Sequence, residues 1–170
     1  MDPVARFADA AAAFARWLLA GEDQEADAAR GGLIRLLELY RAGIELPPGS
    51  SSAMDDRPSV ERVGDEEWRK AYDATRRLPI DYYSEVFDPT EVPAEDRPVI
   101  GSVADDLADI YRDVVTGLRA YEKGDRVGAI WEWSFHLQVH WGAHATGAIR
   151  ALHWWLRNNA ADRLSGDAAG

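Results

Sequence analysis

The chain has no cysteine, and that single absence removes disulfides, thiolate nucleophiles and cysteine-ligated zinc or iron–sulfur clusters. It has no apolar run approaching the roughly 18 residues of a membrane-spanning helix. It has no glycine-rich phosphate loop, no GxGxxG and no GxSxG, and Gly49-Ser50-Ser51-Ser52 lacks the lysine and the helix start of a P-loop. Positive charge is also short: 19 Lys and Arg stand against 30 Asp and Glu, a net charge of −11. Phosphates repel such a surface, so nucleic acid and anionic membranes are disfavoured as partners. The N-terminus opens with Asp2, and Arg6, Asp9 and Arg16 interrupt its apolar residues, a poor signal peptide. A cytoplasmic protein is the expectation.

At 170 residues with 46% apolar content, the composition is that of one ordinary globular domain. The periodicity is helical almost throughout. Val4, Phe7, Ala11, Phe14 and Leu18 recur at three- and four-residue steps and predict a first helix ending near Gly21. Leu33, Leu37, Tyr40 and Ile44, widened by Ile34 and Leu36, predict the buried face of a second, begun or broken at Gly31-Gly32 and stopped by Pro47-Pro48. Residues 47–64 read as a mobile loop. A short helix follows from Asp65 to about Leu78, its acidic start matching the helix dipole. The segment from Pro79 to Pro98 reads as an ordered connection held down by Tyr82, Tyr83 and Phe87. A fourth helix, Ser102 to about Lys123, carries Val103, Leu107, Ile110, Val114, Leu118 and Tyr121 as one stripe and ends at Gly124. A fifth runs from about Asp125 to Arg157. The expected fold is all-α: a single-domain bundle of about five helices over residues 1–160, with the Trp/His-rich C-terminal helix at its centre and a disordered tail at 161–170.

That last helix holds all four histidines and five of the seven tryptophans. His136, His140 and His144 are spaced i, i+4, i+8, and an i, i+4 pair can ligate a transition metal because its side chains lie one above the other. All three cannot share an ion, since His136 and His144 would be about 12 Å apart along the axis. His140 and His144 are the usable pair, with further ligands due from another helix. Asp106, Asp109 and Asp113 line one flank of the fourth helix, and such stacked carboxylates repel one another unless a cation or an arginine sits among them. Asp105, three residues after Ser102, fits a capping box, and Arg112 is placed to offset Asp109. The short Gly124-Asp125 turn makes the two helices antiparallel neighbours, so the aspartates and histidines could meet. A mixed Asp/His site would suit manganese, iron or zinc and a hydrolysis through metal-bound water. The plainer alternative for every member of the cluster is structural: capped helix ends and hydrogen-bonded core imidazoles.

Five segments carry a resemblance: FADAAAAFARWL at 7–18, LLELY with ELP at 36–47, VFDP at 86–89, GSVADDLADIYRD at 101–113 and HWGAHATGAIRALHWW at 140–155. In this order they resemble the bacterial uncharacterised family DUF5063. The resemblance implies a compact helical, cytoplasmic protein and supplies no activity, cofactor or catalytic residue. Its motif positions here are Asp105, Asp106, Asp109, Tyr111, Asp113, His140, Trp141, Gly142, Leu152 and His153. It weights His140 with the aspartates over the His140–His144 pair.

Two functions follow as expectations. The first is a non-catalytic interaction or accessory module with a protein partner or a second copy of itself, docking on an exposed apolar patch near Trp154. The second is a metal-dependent hydrolase, with a divalent cation held by Asp106, Asp109, Asp113 and His140, and His140 as ligand or general base. The candidate site then comprises Asp105, Asp106, Asp109, Asp113, His140, Trp141 and His144.

Overall fold

A computed structural model describes residues 2–20, 25–49, 60–86, 90 and 97–166. Helices α1 (Pro3–Ala20), α2 (Glu25–Ile44), α3 (Asp65–Ala74), α4 (Val103–Glu122), α5 (Arg126–Val139) and α6 (Trp141–Gly166) make up nearly all of it, with a two-stranded antiparallel ribbon of β1 (Tyr82–Glu85) and β2 (Val99–Ser102). A one-turn 3₁₀ segment, Thr75–Arg77, closes α3. The protein is a mainly helical single domain, as its periodicity implies. The ribbon's four-residue strands are too short to leave an alternating signature in sequence.

Helix α4 packs against α1, α3, α5 and α6. Its stripe of Val103, Leu107, Ile110 and Val114 is buried as expected, while small residues open its other sides to neighbours. Gly117 is one: a Cβ there would collide with the Trp133 indole, which donates to the Val114 carbonyl at 2.9 Å. Trp141 in turn donates to the Trp133 carbonyl at 3.1 Å, and Phe7 of α1 meets both indoles at 4.6 and 5.9 Å between centroids. These rings, fully buried, form the largest side chains of the core.

Three expectations change. Gly31-Gly32 is no break: α2 runs through it, and a Cβ on either residue would press on the Trp17 ring at 2.9 Å. That approach sets the rotation of α2, so Leu36, Leu39 and Ala42 face inward while Ile34, Leu37 and Ile44 are exposed. Residues 60–64 are anchored, with Val63 buried and its amide bonded to Thr116 Oγ1 at 3.2 Å; residues 50–59 of the expected loop and Phe87 lie outside the described residues. Finally, the fifth helix is two helices. They part at His140, whose φ of −148° and ψ of −84° are non-helical. Helix α6 then continues to Gly166, beyond the expected domain end near 160.

Candidate metal centre

The break at His140 builds the site. Gly142 sits where a Cβ would collide with the Leu137 carbonyl oxygen, so only glycine lets α6 restart so close to the end of α5. His140 stays attached to both helices, its amide donating to the His136 carbonyl at 2.9 Å and its own carbonyl accepting from Ala143 at 3.1 Å. The reorientation carries His140 and His144 onto the flank of α4 that bears the aspartates. Their rings stand edge to face, 4.7 Å apart.

Each imidazole is held from behind by a buried carboxylate. His140 Nδ1 lies 2.7 Å from Asp113 Oδ2, and His144 Nδ1 lies 2.8 Å from Asp106 Oδ1. The side chains of Asp113 and Asp106 are only 8% and 6% exposed. A carboxylate that only accepts places the hydrogen on Nδ1, so in the neutral imidazole Nε2 keeps its lone pair for something in front of the ring. Asp109 completes the front: its Oδ2 is 3.8 Å from His144 Nε2, while its Oδ1 accepts from the Trp68 indole of α3 at 2.8 Å. One ligand atom from each of Asp109, His140 and His144 lies within 4.8 Å of the other two. The cluster is open on one side, with the His140 side chain 40% exposed and that of His144 29%.

A further layer comes from the ribbon. Tyr83 donates to Asp106 Oδ2 at 2.8 Å and lies 3.2 Å from Glu85 Oε2. Its ring fits because Gly101 and Gly147 have no side chains; a Cβ on either would overlap it. Burial, then the charge and hydrogen bond of Asp106, push the Tyr83 phenol far above its ordinary range, so it remains a donor. The hydrogen bond to Asp106 raises the pKa of His144 above 6.5; burial opposes this, and the charges of Asp106, Asp109 and Glu85 add to it.

The candidate residues separate into roles. Asp109, His140 and His144 converge. Asp106 and Asp113, expected among the ligands, lie behind the rings, hydrogen-bonded to the Nδ1 atoms of His144 and His140. Asp105 is exposed and its amide donates to Ser102 Oγ at 3.1 Å, the cap its spacing suggests. Partial desolvation at the helix surface and the neighbouring Asp109 raise its pKa. Trp141 belongs to the core. Arg112 does not offset Asp109: it pairs with Asp65 at 3.4 Å and lies over the Trp68 ring. His136 leaves the cluster for Glu132, bonding its carbonyl at 2.9 Å with the carboxylate at 3.3 Å, and this pairing raises its pKa. Trp68, Tyr83 and Glu85 were not legible as site residues; none lies on either motif-bearing helix. Gly147, inside a helix, was the one sequence signal that something approaches there.

Fold and cluster together define a mainly helical, single-domain protein with a carboxylate-backed histidine pair at its surface. The chain belongs to the family of the domain of unknown function DUF5063, whose model matches residues 2–157. The crystal structure of protein BF1032 from Bacteroides fragilis is similar, with a TM-score of 0.73 and 22% identity over 89% of this chain and 90% of that one. At that identity the likeness shows the fold alone. No curated protein matches the sequence. No helix among the described residues is long and apolar enough to cross a membrane.

Proposed function

We propose that this protein binds one divalent transition metal through Asp109, His140 and His144 and uses a metal-bound water in a hydrolytic reaction. The observation that carries the reading is the pair of imidazoles, each with Nδ1 within hydrogen-bond distance of a buried carboxylate, converging with Asp109, whose Oδ2 faces His144 Nε2. Metal-ligating histidines characteristically donate their other ring nitrogen to a carboxylate, which fixes the tautomer and raises ligand basicity. Two imidazoles and one carboxylate suit zinc, iron or manganese and leave coordination positions for water. A bound ion brings that water's pKa down toward about 7, generating hydroxide at neutral pH. An ion held by these residues would supply hydroxide for attack on the carbonyl carbon of an amide or ester; the C–N or C–O bond would break, and the leaving amine or alcohol would take up the proton that the water released.

The test is metal content after purification without a histidine tag. Expected is one ion per chain, lost in Asp109→Ala, His140→Ala and His144→Ala with helical content unchanged. An ion-free wild type that takes up no zinc, iron or manganese on incubation rejects the proposal. The interaction-module reading would then lead, with Trp154, Tyr82 and Ile100, exposed by 49%, 69% and 80%, as the surface to examine.

A further inference from the structure

Resting on the metal reading, we infer that the site takes uncharged or cationic carbonyl substrates, amides or esters, and rejects phosphate esters and free carboxylates. The argument is the distribution of charge around the cluster. Helix α4 places Asp106 and Asp113 behind the imidazoles, Asp109 beside them and Asp105 one turn before Asp109. From β1, Glu85 reaches within 3.2 Å of the hydroxyl that bonds Asp106. A divalent ion offsets two of these five carboxylates, and the imidazoles, once ligated, are neutral. The remainder repels an incoming anion at short range, where screening is weak.

Four cations on the elements around the cluster are engaged elsewhere. Arg112 is engaged by Asp65, and Arg150 donates to the Ser84 carbonyl at 2.5 Å. On α3, Lys70 pairs with Glu66 at 2.9 Å and on its last turn Asp73 takes Arg76 at 2.8 Å. Sites that transfer phosphoryl groups clamp the charged oxygens with arginine, lysine or further metal ions. Here, among the described residues, no arginine or lysine is seen paired with Asp109, and beside it stands the Trp68 indole, which donates to its Oδ1 and stacks on Tyr72 at 5.4 Å. An acidic rim beside an aromatic face accepts a neutral or cationic group.

Cobalt-loaded protein gives the test, since bound cobalt absorbs in the visible range and its bands shift when an exogenous ligand enters. Inorganic phosphate and imidazole are titrated against wild type and against Glu85→Gln/Asp105→Asn, which keeps all three ligands. The expected result is weak phosphate binding in wild type that strengthens about fivefold in the double variant, with imidazole affinity unchanged. Equal phosphate affinity in the two proteins, or phosphate binding tighter than imidazole in wild type, overturns the inference while leaving the metal site standing. Cobalt bands that are absent, or that survive His144→Ala, overturn the metal reading and this inference with it.

Discussion

In the proposed site protons and metal would compete for the same nitrogen, which would give stability opposite pH dependences with and without the ion. In the metal-free protein His144 has a pKa above its unfolded value of 6.5, chiefly through Asp106. A raised folded pKa contributes stability that is fully present below the unfolded pKa and is lost as pH rises through the folded one. The metal requires the unprotonated Nε2, so its contribution runs the other way: small at low pH, full once His144 has titrated. At a free ion concentration about 100 times Kd, binding to the folded state alone stabilises by about 2.7 kcal/mol. For a domain of this size that is a rise in Tm of about 5–11 °C. Differential scanning calorimetry with and without zinc, at a pH well above and a pH below 6.5, measures both arms. The zinc increment should shrink toward zero at the lower pH, and His144→Ala should abolish it at the higher pH while flattening the metal-free profile. A zinc increment independent of pH, or one retained in His144→Ala, would refute the assignment of His144 Nε2 as a ligand.

Other outcomes follow from the same geometry. Tyr83→Phe removes the hydroxyl on Asp106 while keeping the ring between Gly101 and Gly147, and should weaken zinc binding by about 10-fold or more in competition with a chelator, with circular dichroism unchanged. Trp141→Ala empties a fully buried indole site and leaves the Trp133 carbonyl without its partner, costing about 3–5 kcal/mol in urea unfolding, whereas exposed Trp154→Ala should cost less than about 1 kcal/mol. Gly124 has φ +84°, so Gly124→Ala should lose about 1–2 kcal/mol by the same measurement, though a Cβ there meets nothing.

The helices were legible because burying one face against a core imposes a 3.6-residue period on the sequence. Where that signal was clean, as in α1 and α4, even the buried residues were readable. In α2 it was not: apolar residues surround much of the helix, and the close approach of Gly31 and Gly32 to Trp17 chose Leu36 and Leu39 over Leu37 and Ile44. The ribbon left no trace because two four-residue strands carry too few alternations to stand out.

For the site, the sequence by itself determined the ingredients: four aspartates on one helix, histidines at four-residue spacing on the next, and no cysteine to offer other chemistry. It also led to the expectation that the two helices would be neighbours, since the short Gly124-Asp125 turn joins them, and α4 does pack against α5 and α6. Only the tertiary structure decided which carboxylates stand behind the imidazoles and which stands in front. That division depends on the rotation of α4 against α6 and on the backbone break at His140, both set by contacts between residues far apart in the chain. Gly142 marks the break and Gly147 the approach of Tyr83, but in sequence a glycine reports only that space is needed, not what fills it. Local periodicity encodes which face of a helix is apolar; the partner that each polar group on its edge will meet is a property of the packed whole.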